Sequence, residues 1–319
     1  MTLTELKYIV AVARERHFGK AAEACFVSQP TLSVAVKKLE EELEIKLFER
    51  NATEVTVTPL GAEIVRQAQS VLEQASNIKE IAKRGKDPLA GVLRLGVIYT
   101  IAPYLLPDLV RQIITHSPQM PLMLQENFTV KLLEMLRTGE IDCAILADPF
   151  PDAGLAVAPL YDEPFFAALP RQHALATQTS VSAEQLKNET MLLLGNGHCF
   201  RDHVLEVCPE FARFSSNTEG IRKSFEGSSL ETIKYMVAAG MGVTLVPRLS
   251  VPDDALESPG RRLEDAFVTY LPVRDAAGTP PPTRRVVLAW RRSFTRYEAI
   301  AALRNAIYGC ALPGVKRLS

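Results

Sequence analysis

Two cysteines, Cys199 and Cys208, lie in the stretch Gly195-Asn-Gly-His198-Cys199-Phe-Arg201-Asp202-His203-Val-Leu-Glu-Val-Cys208-Pro209. A thiol can attack an oxidant, ligate a metal or pack as a small apolar group, and its surroundings decide which. The two glycines read as a loop. Val204, Leu205 and Val207 give the helix that follows an apolar side, and Pro209 closes it. On a continuous helix, nine residues separate the two Cα atoms by about 13 Å and place the side chains roughly half a turn out of phase. A disulfide needs Cα atoms within about 7 Å, so these thiols can bond only if the helix between them comes apart.

Cys199 falls at the helix start, where unpaired N–H groups and the macrodipole favour a thiolate. His198 and Arg201 add positive character. Cys199 is therefore the candidate for attack on an oxidant. Cys208, near the helix end where the dipole opposes a thiolate, is the candidate for resolving a sulfenic acid. Two other readings stay open. Spacing alone favours a pair of buried, inert structural thiols. Zinc is a third possibility, because Cys199 and His203 form an i,i+4 pair with His198 and Cys208 nearby. No two-residue Cys knuckle supports it, and no metal or cofactor is expected.

The chain that must position these residues has 319 residues and is 47% hydrophobic, enough for two or three globular domains. No apolar run approaches a membrane span and no signal-peptide pattern opens the chain, so a cytoplasmic location without membrane contact is expected. Five cysteines, an odd number, do not form a secreted disulfide framework. Cys25, Cys143 and Cys310 acquire no role. A net charge of −1 announces no overall basic field. The stretch Val251–Pro282, rich in Pro, Asp and Gly, reads as the loosest part.

Leu3, Leu6, Ile9, Val10 and Ala13 have helical spacing, and Phe18 to Cys25 suggests a short second helix. Ser28-Gln29-Pro30-Thr31 then reads as a helix start, with Ser28 as N-cap and Pro30 in the first turn. Leu32, Val36, Leu39 and Leu43 form its apolar stripe. Gln29, Thr31, Ser33 and Lys37 face elsewhere. A short helix, a turn and a second helix with small polar and basic residues in its first half is a helix-turn-helix layout for the DNA major groove. The DNA-contact candidates are Gln29, Pro30, Thr31, Ser33 and Lys37. Leu47–Arg50 and Val55–Thr58 read as a β-hairpin wing, with Arg50 available to a phosphate. The local charge balance, eight basic and eight acidic residues among the first 50, gives this no support. A small helical domain that binds protein remains the alternative.

Thr58-Pro59 opens a long helix to about Lys83. Its apolar residues Leu60, Ile64, Ala68, Val71, Ala75 and Ile78 approach a coiled-coil seam, which predicts a homodimer. From Val92 strands alternate with helices, which predicts a mainly parallel α/β sheet. Thr100 and Thr129 each follow a predicted strand and precede a helix, where open α/β sheets place ligands. The expected domains are a winged helix-turn-helix over 1–58, a linker helix over 59–84 and a hinge over 85–91. Two α/β lobes follow: the first over 92–164 and 268–319, the second, carrying the cysteines, over 165–267.

The sequence resembles LysR-type transcriptional regulators over nearly its whole length. The resemblance rests on Phe18-Gly-Lys-Ala-Ala22, Val27-Ser-Gln-Pro-Thr-Leu-Ser33, Leu39-Glu40, Leu47-Phe48-Glu49-Arg50 and Thr58-Pro59-Leu60-Gly61. Gly197-His-Cys-Phe-Arg-Asp202 with Cys208, Pro103-Tyr-Leu-Leu-Pro107 and Ser228-Ser-Leu-Glu-Thr232 resemble the peroxide-sensing branch of that family. The resemblance implies a winged helix-turn-helix, a linker dimerisation helix and a two-lobed, periplasmic-binding-protein-like effector domain. It further implies a homotetramer, promoter DNA and RNA polymerase as partners, and control of oxidative-stress genes rather than enzymatic turnover. It implies Cys199 as peroxidatic and Cys208 as resolving, with Arg201 and Asp202 around them and Thr100, Thr129 and His198 holding hydrogen peroxide. Two other expectations compete: a LysR-type regulator of a small metabolite with incidental cysteines, and a thiol peroxidase.

Overall fold

The computed structural model describes residues 1–50, 55–83, 89–151, 154–209, 225–227, 229–252, 267–274 and 280–318. Residues 85–88 of the expected hinge, and 253–266 and 275–279 of the loose stretch, lie outside them. The chain divides into two units, Met1–Pro88 and Leu89–Ser319.

In the first unit, α1 (Leu3–Glu15) starts from a capping box in which Thr2 and Glu5 satisfy each other's backbone N–H groups. α2 (Phe18–Ala24) and α3 (Gln29–Glu42) follow, and Ser28 caps α3 as its sequence predicts, accepting from the Thr31 N–H at 3.3 Å. Leu32, Val36 and Leu39 of α3 are buried against Leu6, Ile9 and Val12 of α1 and Phe18 and Ala22 of α2. The wing is an antiparallel pair, β1 (Phe48–Arg50) and β2 (Val55–Val57). One acid of the Glu40–Glu44 group has a structural task. Glu40 is buried and accepts from the N–H groups of Leu47 at 2.8 Å and Phe48 at 3.2 Å, fixing the entry to the wing.

α4 (Pro59–Lys83) is one helix, as its periodicity predicts. Its close approach to the wing requires Gly61, where a Cβ would lie 2.4 Å from the Leu47 carbonyl oxygen. The expected seam divides. Ala68 is buried with Val65 in the unit's own core, whereas Leu60, Val71 and Ile78 are exposed. Part of the stripe therefore stabilises its own unit, and the rest remains for a partner.

The second unit is built on β3 (Leu93–Ile98), α5 (Ala102–His116), β4 (Leu122–Asn127), α6 (Thr129–Thr138), β5 (Cys143–Asp148) and the 16-residue β6 (Leu155–Pro170). Next come α7 (Ala183–Leu186), β7 (Leu192–Leu194), α8 (Cys199–Val207), β8 (Phe225–Gly227), α9 (Leu230–Ala238) and β9 (Thr244–Pro247). β10 (Val268–Pro272), β11 (Thr283–Arg291), α10 (Tyr297–Gly309) and β12 (Lys316–Arg317) complete it. β6 runs through both halves. Its first part pairs with β11, and Phe165–Pro170 pair with β9 and β10.

Two hydrophobic cores form around it. One gathers β3, β5, β11, α5, α6 and α10; the other gathers β7, α8, α9, β9 and β10. The sheet is mixed rather than mainly parallel: β3 is parallel to β4 and β5, but β11 is antiparallel to β5 and β6. The return to the first core also comes later than residue 268. Val268, Tyr270, Leu271 and Val273 belong to the second core, because β10 pairs with the second-core end of β6. Among the described residues no helix is long and apolar enough to cross a membrane.

Candidate functional site

The predicted helix is present. β7 leads into a turn at Gly197 (φ +99°), His198 is the N-cap of α8, Cys199 its first residue and Cys208 its C-cap. The two sulfurs sit at opposite ends of a nine-residue helix, and all five cysteines are free thiols. Cys208 is buried in the second core, while Cys199 is half-buried and packs against the first. Phe200 anchors the first turn, 5.5 Å from Phe165. His203 Nε2 donates to the Asp148 carbonyl at 2.9 Å, and burial holds its pKa below the ordinary imidazole value. The imidazole is therefore neutral, and the nitrogen that a Cys199–His203 metal pair would have used at Nε2 is committed to the backbone.

Around the Cys199 sulfur the structure brings together Thr100, Thr129 and His198, from three elements distant in sequence. Thr100 follows β3, Thr129 opens α6 and His198 caps α8. With Ile98, Tyr99, Asn127, Phe128 and Gly197 they line a cavity of ≈ 10 Å³, room for the centre of one water-sized molecule. Thr129 Oγ1 is buried and lies against the Cys199 thiol, whose pKa its hydrogen bond lowers; it makes no hydrogen bond of ordinary geometry to any other group among the described residues. Thr100 Oγ1 accepts from Arg284 Nη1 at 2.8 Å, which leaves its own O–H to donate into the cavity.

Arg284 is the site residue that sequence reasoning missed. It is 1% exposed, and its Nη2 also donates to the Thr100 carbonyl at 2.9 Å. Its Nε donates at 2.9 Å to Glu163, directly across the β6–β11 pair, and its guanidinium lies 5.1 Å from the Phe200 ring centre. Glu163 is fully buried and accepts from the Leu249 N–H at 2.7 Å as well. Both charges are thus satisfied, the condition on which a buried ion pair is tolerated.

The electrostatics correct one expectation. Burial pushes the Cys199 thiol up from its ordinary value, although the Thr129 hydroxyl and Arg284 pull it down; the Asp202 carboxylate adds to the rise. The Arg201 guanidinium reaches back to donate to the Leu194 carbonyl at 3.0 Å, tying α8 to β7. Burial is the largest influence on this thiol, and the cation that offsets part of it is Arg284 of β11.

On the face of α3 expected to read DNA, Gln29, Pro30, Thr31 and Lys37 are exposed and Ser33 is half-buried. Gln29 donates to Ser33 at 3.3 Å, the Thr31 and Ser28 hydroxyls are 2.7 Å apart, and Lys37 makes a surface ion pair with Glu41 at 3.6 Å. Arg50 closes β1; its side chain lies outside the described residues.

Residues 3–62 match the family described as "Bacterial regulatory helix-turn-helix protein, lysR family", and residues 86–309 match the "LysR substrate binding domain". This chain belongs to the LysR family. It is 38% identical over 304 residues to a "Hydrogen peroxide-inducible genes activator" of Pectobacterium carotovorum, covering 94% of this chain and 95% of that one. Among solved structures it is similar to full-length OxyR of Pseudomonas aeruginosa bearing a cysteine-to-aspartate substitution. The identity is 48% and the TM-score 0.75, over 98% of this chain and 99% of that one. It is also similar to a hydrogen-peroxide-bound cysteine-to-serine variant of OxyR of Corynebacterium glutamicum. There the identity is 32% and the TM-score 0.60, over 96% and 91% of the two chains. The LysR-family helix-turn-helix and effector domain of this chain are accordingly those of a transcriptional regulator.

Proposed function

We propose that this LysR-family regulator senses hydrogen peroxide at Cys199 and reports it to promoter DNA. The observation that carries the reading is the water-sized cavity at the Cys199 sulfur, whose other polar lining includes two threonine hydroxyls and an imidazole. Small-molecule sites for metabolites occupy hundreds of Å³, which argues against a metabolite effector here.

In this reading Thr100, Thr129 and His198 hold the peroxide and orient its O–O bond at the thiolate. The Cys199 sulfur attacks one oxygen, an S–O bond forms, and the O–O bond breaks. The leaving hydroxide takes a proton and departs as water, so peroxide is reduced and Cys199 is oxidised to the sulfenic acid. Cys208 then attacks the Cys199 sulfur. The S–S bond forms, the S–O bond breaks, and the thiol's proton leaves with the hydroxide as a second water. This step requires α8 to unwind.

Gln29, Pro30, Thr31 and Ser33 read or approach base edges in the major groove, with Lys37 and Arg50 on phosphates. The chain works in the cytoplasm as a homodimer through α4, assembled into a homotetramer that engages RNA polymerase. The test is mass spectrometry of the thiols before and after stoichiometric peroxide, paired with promoter binding. Cys199→Ser is expected to abolish the response. Cys208→Ser is expected to react but stop at the sulfenic acid. A peroxide response unchanged in Cys199→Ser overturns the reading.

A further inference from the structure

The cavity at Cys199 is bordered by three aromatic rings. The Phe128 and His198 rings are 4.8 Å apart, Tyr99 and Phe128 5.2 Å, and Tyr99 and His198 5.9 Å. They come from three places: the turn after β3, the N-cap of α6 and the N-cap of α8. The burial differs. His198 is 7% exposed, whereas Tyr99 and Phe128 are 38% and 37% exposed. Two rings therefore have one side on solvent and the other on the cavity. The Gly197 backbone lies directly on Phe128, so that a Cβ there would be 3.3 Å from the ring. Phe128 is thereby held between this loop and Tyr99. The ≈ 10 Å³ cavity has room for the centre of about one water-sized molecule and none beside it for an alkyl or aryl substituent.

We propose that Tyr99 and Phe128 form an aromatic gate that selects among hydroperoxides by size, admitting hydrogen peroxide to Cys199 and retarding organic hydroperoxides. The inference rests on Cys199 being the peroxide-reactive residue. An organic hydroperoxide would place the same O–O bond at the sulfur, transfer one oxygen and leave as the alcohol, so the chemistry does not discriminate. Its substituent would have to occupy the space that the Phe128 and Tyr99 rings fill.

Phe128 caps α6 through its backbone (φ −69°, ψ 152°) and makes no side-chain cap bond. Phe128→Ala therefore removes the ring without removing the cap. The experiment measures second-order rates of Cys199 oxidation in the reduced full-length protein with hydrogen peroxide and with cumene hydroperoxide. The ratio of the two rates is the readout, because a general loss of packing or reactivity moves both rates together. Phe128→Ala is expected to lower the preference for hydrogen peroxide at least tenfold, Tyr99→Ala to lower it less, and Phe128→Tyr to keep it. Alkylation gives an arm independent of peroxide chemistry: both alanine variants should raise the Cys199 labelling rate with an N-aryl maleimide relative to iodoacetamide. If Phe128→Ala fails to fold by circular dichroism, Tyr99→Ala and Phe128→Leu decide by the same ratio. Ratios within twofold of the unmodified protein in the folded variants overturn the gate. An unmodified protein whose Cys199 ignores hydrogen peroxide overturns instead the sensing reading on which the gate rests.

Discussion

At the scale of single residues, the decisive balance is between burial and charge at one sulfur. Burial pushes the Cys199 thiol up; Thr129 and Arg284 offset part of that, and Asp202 works against them. A thiol with a raised pKa is mostly protonated near neutrality, and below that pKa the thiolate fraction grows about tenfold per pH unit. The rate of Cys199 oxidation should therefore climb through pH 6.5–8.5 without a plateau, as stopped-flow oxidation across that range would record. A flat profile would mean that the helix start wins after all. Removing the exposed Asp202 charge in Asp202→Asn should lower the pKa and raise the rate at pH 7 by a modest factor, because solvent screens the carboxylate. Thr129→Val should act in the opposite direction. The structure brings Cys199, Thr100, Thr129 and His198 to one cavity; the sequence placed Cys199 at a helix start and the two threonines between a strand and a helix, and their grouping with His198 came from the family resemblance. Arg284 was not legible in the sequence, since its chemistry depends on a strand pairing and a partner 121 residues away.

Among the elements, the helices were easy to read and one long strand was not. α1, α3 and α4 declare themselves through caps and apolar periodicity. β6 conceals itself: Pro159, Pro164 and Pro170 interrupt it and Asp162-Glu163 puts two acids in its middle, all features that demote a strand. The same concealment hid the site's ion pair, because Glu163 lies within β6 and Arg284 lies across from it on β11. The reading of α8 from Cys199 to Cys208 matched the structure, and its ties now rank its stability. Arg201 holds its first turn to the Leu194 carbonyl and His203 holds its middle to Asp148. Each such bond contributes about 0.5–1.5 kcal/mol, or roughly a 2- to 12-fold change in the unwinding equilibrium. Arg201→Ala should therefore speed conversion of the sulfenic acid to the disulfide by that factor. A dimedone-trapping time course would measure it; a slower conversion would show that Arg201 guides the unwound chain rather than pinning the helix.

At the scale of the whole molecule, signal transmission needs joints within the effector unit and between copies of the chain. Inside the unit, the Tyr104 hydroxyl of α5 donates to Glu231 of α9, and burial with that carboxylate raises the Tyr104 pKa far above the ordinary phenol value. Glu231 also accepts from buried Lys234 at 3.2 Å, and Lys234 donates on to the Ser250 carbonyl at 3.0 Å. This joins the first-core helix to the second core. Glu231→Gln leaves the ammonium without its countercharge and should cost the unit about 1.5–3 kcal/mol in urea unfolding. Between copies, α4 is the element with apolar surface left to cover. The periodic seam predicted from Leu60 to Ile78 is partly consumed internally, since Ala68 is buried beside Val65, while Leu60, Val71 and Ile78 stay exposed at 50%, 37% and 69%. Three large apolar residues on one long helix are what a second α4 would cover, and a lone unit has no use for them in water. Val71 is the centre of that line, and a carboxylate there would be desolvated in a dimer yet solvated in a free chain. Val71→Glu should thus leave the melting transition of the effector unit unchanged while splitting the assembly in light scattering, and DNA affinity should fall with it. An intact assembly in that variant would move the interface off α4 and onto the effector unit.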